Sequence, residues 1–247
     1  MCDTCGCGTD HDHFSIHIPN GQIETMHEHS HSHEPKTVLI ETDILSKNNL
    51  LAERNRGYFE AKNIKVYNLV SSPGSGKTTL LEKLTHILLP KNNVYVIEGD
   101  QQTSLDAQRI KKAGAVAIQI NTGKGCHLDS HMINHAVSDL KPVENSILFI
   151  ENVGNLICPA LFDLGEKLRI AIISVTEGED KPLKYPDIFQ GSQICILNKM
   201  DLLPYLEFDL DSFKANLLKV NPSITLLLCS AKTGDGIDEL YFKILKD

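Results

Sequence analysis

Between residues 65 and 84 the chain passes from a short strand-like segment, Lys65 to Val70, through Ser71-Ser72-Pro73-Gly74-Ser75-Gly76-Lys77-Thr78 into the helix-forming Thr79-Leu80-Leu81-Glu82-Lys83-Leu84. A glycine-rich loop that leaves a strand and enters a helix turns successive backbone N–H groups inward, and the helix N-terminus adds partial positive charge. Such a loop is a phosphate cradle, and its strand-loop-helix setting commits the surrounding chain to an α/β fold. Gly74, Ser75 and Gly76 let the backbone curl, Lys77 brings an ammonium to the β- and γ-phosphates, and the Thr78 hydroxyl is placed for Mg²⁺, with Thr79 behind it in the same nucleotide-binding set. The motif ordinarily opens with glycine; Ser71 stands there, so Gly74 to Thr78 is the matching core.

The chain beyond this loop repeats the same alternation. Apolar runs at Val66 to Val70, Val94 to Ile97, Val116 to Ile120, Ile147 to Ile150, Ile170 to Val175, Ile194 to Leu197 and Ile224 to Leu228 read as strands. Segments of helical composition lie at Thr78 to Leu89, Leu105 to Lys112, Leu128 to Leu140, Asp211 to Val220 and Ile237 to Leu245. The expected fold is a P-loop NTPase with a mostly parallel, roughly seven-stranded sheet flanked by helices, its ligands bound at the carboxyl ends of the strands. A 247-residue chain with 41% hydrophobic residues can bury such a core. Three regions are predicted: a flexible Cys/His-rich tail over residues 1–35, a connecting helix region over 36–63 with Ile44, Leu45, Leu51, Ala52 and Tyr58 on its apolar face, and the P-loop domain over 64–247. A net charge of -8 argues against wrapping nucleic acid. No apolar run approaches the ~18 residues of a membrane span, and no basic flank precedes an apolar stretch at the N-terminus, so a cytoplasmic protein is expected.

Two further loops narrow the nucleotide. After the sixth strand stands Asn198-Lys199-Met200-Asp201, the Asn-Lys-x-Asp pattern of GTP-binding proteins. Guanine presents N1–H and N2–H₂ donors, so a fixed carboxylate at Asp201 accepts both and would be left unsatisfied by adenine. Asn198 supports the loop, the Lys199 stem covers the purine face, and Ser230-Ala231-Lys232 follows the last strand. After the fourth strand, Glu151-Asn152-Val153-Gly154 places a carboxylate for the Mg²⁺ shell and a glycine that lets the backbone move when a γ-phosphate arrives. Glu98-Gly99-Asp100 ends the second strand; Asp100 or Asp106 can orient water or reach Mg²⁺ through water, and Asp106 can equally cap a helix.

Cysteine and histidine supply a second chemistry. Seven cysteines in a chain with no export signal argue for metal or redox chemistry rather than a disulfide framework. Cys2, Cys5 and Cys7 set three thiolates within six residues, one short of a tetrahedral structural zinc site, and the α-amine of Cys2 would complete an N,S₃ set suited to Ni(II) as well as Zn(II). His11, His13, His17, His27, His29, His31 and His33 follow as a weak multi-ion buffer or an inert linker. A second group lies at Cys126-His127, with His131 and His135 spaced to share one face if the segment from His127 is helical, and Cys158 follows the Glu151 region. Cys195 and Cys229 sit within apolar strands and read as core.

Taken together, Cys2-x-x-Cys5-Gly-Cys7, Gly74 to Thr78, Asn121-Thr-Gly-Lys-Gly-Cys126-His127-Leu-Asp129, Glu151-Asn-Val-Gly-Asn-Leu-Ile-Cys158-Pro-Ala160, Thr176-Glu-Gly178 and Asn198-Lys-Met-Asp201 resemble the HypB family of nickel-insertion GTPases, over nearly the whole chain. The resemblance implies a GTP-dependent homodimer in which slow hydrolysis acts as a switch, with Cys126, His127 and Cys158, joined by His131, binding Ni(II) or Zn(II) near the dimer interface. Lys77 and Asp100, read above on the phosphates and the attacking water, are the expected catalytic residues, and the resemblance adds that Lys184, with Lys181 as second choice, reaches the partner subunit's nucleotide. It also implies a hydrogenase large-subunit precursor and a nickel/zinc accessory protein as partners. A related GTPase serving urease would lack the Cys2-Cys5-Cys7 cluster, and a nickel store would have no use for intact Lys77, Thr78, Glu151 and Asp201.

Overall fold

Among the described residues the strands are short and apolar in their middles, six of the seven end in a polar residue, and they assemble into one sheet in the computed structural model, which describes residues 34–100, 105–123 and 125–246. The strands are β1 (Lys65–Ser71), β2 (Val94–Asp100), β3 (Val116–Asn121), β4 (Ile147–Glu151), β5 (Leu168–Ser174), β6 (Ile194–Asn198) and β7 (Thr225–Leu228). They lie in the order β3-β2-β4-β1-β5-β6-β7, and every pairing is parallel. The helices are α1 (Glu34–Ala61), α2 (Lys77–Leu88), α3 (Leu105–Lys112), α4 (Ser130–Leu140), α5 (Cys158–Leu161), α6 (Lys181–Lys184), α7 (Pro186–Gln190), α8 (Leu210–Val220) and α9 (Ile237–Lys246), with a 3₁₀ turn at Met200–Tyr205. This is the P-loop NTPase arrangement expected from the sequence. Among the described residues no helix is long and apolar enough to cross a membrane.

Both faces of the sheet are covered, because crossovers between parallel strands must run over one face or the other. On one face Leu80, Leu81, Leu84 and Leu88 of α2 and Leu240 of α9 pack on Tyr67, Leu69, Val96, Phe149 and Ile172. On the other, Ile133 and Val137 of α4 and Phe59 of α1 pack on Val66, Ile97, Leu148 and Ile150, while Phe213 and Leu217 of α8 pack on Ala171, Ile173, Cys195 and Leu197. Tyr67 and Leu69 face one way from β1, Val66 and Val70 the other, as a period of two requires.

Helix α1 departs from the apolar face read from its sequence. Its buried positions are Asn48, Ala52, Asn55 and Phe59, whereas Ile44, Leu45, Leu51 and Tyr58 are only partly covered. The two asparagines fasten α1 to other backbone: Asn48 Oδ1 accepts from Ser130 N at 2.9 Å, Asn48 Nδ2 donates to Asp163 O at 2.8 Å, and Asn55 Nδ2 donates to Ser130 O at 2.9 Å. Gly165, with φ +86°, lies so close that a Cβ there would approach Ala52 O to 2.7 Å. Helix α4 starts at Ser130 rather than Leu128, because Asp129 is its N-cap and accepts from Met132 N at 2.8 Å. His127 therefore precedes the helix and does not share a face with His131 and His135. Cys2, Cys5, Cys7 and the seven N-terminal histidines lie outside the described residues.

Candidate functional site

At the carboxyl end of the central strand β1, the chain turns through Gly74 (φ 74°) and Gly76 (φ 97°) into α2. Both angles are left-handed, which glycine adopts without steric cost. Lys77 Nζ donates to Ser71 Oγ at 2.9 Å, so the serine in the motif's first position holds the lysine over the loop. A cavity of about 570 Å³ opens above, lined by residues 73–79, by Glu98, Gly99, Asp100, Asp106 and Arg109, by residues 151–154 and by Lys199. Asp100 and Asp106 thus both border it, from the end of β2 and the first turn of α3. Arg109 is braced beside them, 2.6 Å from Glu82 and 3.1 Å from Thr79 Oγ1.

Two carboxylates meet in the cavity floor. Register pairs Glu98 of β2 directly with Glu151 of β4, and both side chains are buried. Thr78 Oγ1 donates to Glu151 Oε1 at 2.7 Å, but Glu151 Oε2 and Glu98 Oε1 are buried with no hydrogen-bond partner. Burial first, and then the adjacent Glu151, push Glu98 up to about 10, a penalty on its charged form that a bound divalent cation would relieve. Burial also raises Glu151, against the pull of Lys77 and Thr78. Orphaned carboxylate oxygens beside a threonine hydroxyl and beneath a phosphate loop are a hard-cation donor set, and they fit Mg²⁺. Glu98 is the residue that the sequence reading passed over: it sits 53 positions from Glu151, and only strand order makes them neighbours.

The base loop is fastened to the phosphate loop. Asn198, buried at the end of β6, donates from Nδ2 to Ser75 O at 2.8 Å and accepts on Oδ1 from Ala231 N at 3.0 Å. Lys199, at φ 61°, donates to Gly74 O at 2.7 Å. Ser230 Oγ donates to Asp201 Oδ1 at 2.6 Å and so orients that carboxylate. Lys232 follows on the exposed surface.

Behind the cavity, Cys126, His127 and Cys158 bring their ligand atoms within 4.8 Å of one another, with Cys126 Sγ 3.7 Å from His127 Nδ1. The His127 ring is buried and stacks on Phe162 at 3.9 Å between centroids. Burial lowers its pKa, with Asp129 opposing, so the imidazole is neutral and able to ligate near pH 7. Two thiols and an imidazole suit a borderline or soft transition-metal ion. His131 is outside this group; its Nε2 lies 3.1 Å from His135 Nε2 on the exposed face of α4. Cys158 opens α5, and the guanidinium of Arg169 clamps that segment by donating to Ala160 O and Phe162 O, both at 3.0 Å. Cys195 and Cys229 are buried in the core, as read from the sequence.

Lys184 lies away from the cavity. It is 61% exposed and pairs with Asp180 at 2.6 Å, a contact that raises its pKa. Lys181 reaches Glu177 at 3.8 Å and sits over the Tyr185 ring.

Comparison with known proteins agrees with this geometry. Residues 65–227 match the CobW/HypB/UreG nucleotide-binding domain family. The hydrogenase maturation factor HypB of Rhizobium leguminosarum bv. viciae is 55% identical over 92% of this chain and 75% of its own length. Among solved structures, HypB from Helicobacter pylori in complex with nickel superposes with a TM-score of 0.76 at 37% identity, covering 81% of this chain and 94% of that one. The hydrogenase maturation factor HypB from Archaeoglobus fulgidus also gives a TM-score of 0.76, at 36% identity, with 81% and 98% covered. The family model covers more than half of the chain and these relatives match most of it, so the chain belongs to the HypB family of hydrogenase maturation factors.

Proposed function

We propose that this protein is a GTP-hydrolysing nickel metallochaperone that delivers Ni(II) during maturation of NiFe hydrogenase, with GTP binding and hydrolysis controlling dimerisation and metal transfer. The observation that carries this reading is the Cys126-His127-Cys158 cluster, built on the two loops that follow β3 and β4, beside a complete phosphate cavity. Nickel is the cargo, and the cluster holds it. Thr78, Glu151 and Glu98 would hold Mg²⁺, which neutralises charge on the phosphates when bound. Lys77 and the loop N–H groups position the γ-phosphate, Asp100 orients the attacking water, and Asp201, steadied by Ser230, selects guanine. Exposed Lys184 is free of the cavity and supplies its cation to the partner subunit's nucleotide. Thr79, Asp106, Asn198, Lys199, Ala231 and Lys232 complete the nucleotide site. The tail thiols Cys2, Cys5 and Cys7 form a separate Ni(II) or Zn(II) site, in a division of the chain into tail, connecting helix and GTPase domain. The precursor of the hydrogenase large subunit and an accessory metal protein are its partners in the cytoplasm.

Ni(II) titration of the intact protein and of a Cys126→Ala/Cys158→Ala variant, each with GDP and with a non-hydrolysable GTP analogue, tests this. Nucleotide-dependent affinity that vanishes in the variant is the expected result. Affinity indifferent to both nucleotide and variant would place the nickel in the tail and overturn the reading.

A further inference from the structure

The metal cluster is joined to the nucleotide cavity by more than chain continuity, and the joints converge on Leu128. This residue follows His127 and is completely buried. Its N–H donates to Asn152 Oδ1 at 3.2 Å. Its side chain lies against Gly99, where an added Cβ would come within 2.8 Å of both Leu128 Cγ and Cδ1. Gly99 and Asn152 both line the nucleotide cavity, Gly99 between Glu98 and Asp100, Asn152 directly after Glu151. A second strap runs alongside: Thr122 N donates to Asp100 O at 3.0 Å, and Thr122 Oγ1 donates to Gly125 O at 2.8 Å, immediately before Cys126.

Asn152 is equipped to transmit displacement rather than absorb it. Its side chain is buried, and its Oδ1 also accepts from Val153 N at 3.0 Å, so one oxygen gathers both loops. Behind it, Nδ2 donates to Asn68 Oδ1 at 3.4 Å, and Asn68 is anchored to Glu166 at 3.0 Å. If Glu151 shifts, Asn152 shifts with it, and the Leu128 N–H must follow or be left buried and unpaired. Leu128 has no room to retreat past Gly99, so the displacement passes to its neighbour His127, whose ring is already packed on Phe162.

We infer that Asn152, acting through the Leu128 N–H and the Leu128–Gly99 contact, is the positioning residue that couples the nucleotide state to the geometry of the Cys126-His127-Cys158 metal site. This rests on the proposed reading that GTP gates metal binding there. Coupling of this kind is reciprocal: Ni(II) must change the preference between GDP and GTP by the same factor as the nucleotides change Ni(II) affinity.

The test compares the ratio of Ni(II) dissociation constants in the GDP and GTP-analogue states for the full chain and for Asn152→Ala, the tail's share being subtracted with the Cys126→Ala/Cys158→Ala background. A ratio in the usual coupling range of about 5- to 150-fold in the parent, reduced to within about twofold of unity in Asn152→Ala, is the expected result. A parent ratio that survives in the folded variant overturns the inference and leaves the gated-chaperone reading standing. A parent ratio of unity overturns both. Because Asn152→Ala strips partners from a buried site, amide hydrogen exchange at Leu128 in the parent protein provides a measurement that needs no variant. Protection that differs between the two nucleotide states supports the joint, and equal protection overturns it.

Discussion

Arg169→Met removes one half of a buried ion pair whose arginine also braces the α5 segment that carries Cys158. The Arg169 and Glu166 side chains are 9% and 7% exposed, and their charged groups lie 3.0 Å apart. Burial raises the Glu166 carboxyl, but Arg169, together with hydrogen bonds from Asn68 and Leu164 N, more than offsets it and holds the group below its ordinary 4.5. Leaving a buried carboxylate without its cation costs roughly 3–5 kcal/mol, which for a chain of this size lowers the midpoint of thermal unfolding by about 6–20 °C. In the parent the folded-state value is depressed, so the contribution of Glu166 is fully present above pH 4.5 and is lost as pH falls through that lower value. In the variant the unpaired carboxylate takes up a proton well above pH 4.5, so the penalty shrinks as pH is lowered from 7 toward 5. Urea unfolding at pH 7 and pH 5 measures both effects. Adding Glu166→Gln removes the charge while keeping an acceptor for Asn68, and it should recover the part of the loss due to the unpaired charge, though not the bonds to Leu164 N–H, Ala160 O and Phe162 O. A penalty below about 1 kcal/mol at pH 7, or one independent of pH, would refute the assignment of this pair as a buried, mutually dependent unit.

Three other perturbations follow from the geometry. Gly76→Ala forces a Cβ into left-handed backbone and to 2.5 Å from Asn198 Nδ2. With about 1–2 kcal/mol from the backbone alone, GTP affinity by calorimetry should fall at least tenfold. Alkylation of the native protein should modify Cys126 and Cys158 and spare Cys195 and Cys229, whose thiols burial pushes up, to about 12 for Cys229; Ni(II) should protect the first pair, and rapid labelling of Cys195 would contradict its place in the core. Lys184→Ala should lower the GTPase rate or weaken dimerisation while leaving the thermal midpoint of the protein unchanged, and unaltered values for rate and dimerisation would count against a role in trans.

The parts of this fold that were legible in the sequence are those where local pattern and tertiary role coincide. Residues 194–197 are apolar, and residues 66–70 are apolar but for the buried Asn68, because both faces of their strands are covered, so the run itself announces the strand. Their polar last residues, Ser71 and Asn198, look like loop in the sequence, yet the ladder continues through them. Residues of this kind, with Asp100 and Glu151, carry the site, because parallel strands gather their carboxyl ends on one edge. The apolar Leu128 looks like the first turn of α4 in the sequence, but it precedes the Asp129 cap and is buried against Gly99 within the cluster that holds Phe59 and Ile133. The face of α1 was misread because Asn48 and Asn55 look solvent-facing until their partners, the backbone of Ser130, Asp163 and Leu164, are known. The pairing of Glu98 with Glu151 depends on strand order, which neither segment encodes locally.

The central place of β1 bears on when this protein first becomes able to hold a ligand. The strand that launches the phosphate loop hydrogen-bonds to β4 and β5, whose residues lie some 80 to 100 positions later, and its loop is braced by Asn198 and, through that residue, by Ala231. Contacts so distant along the chain form slowly and late. During synthesis the phosphate loop would leave the ribosome long before the strands that shape it, and GTP would find no site until nearly the entire domain had emerged. Nucleotide occupancy would then be a property only of finished molecules, so a truncated or stalled chain would stay empty of nucleotide.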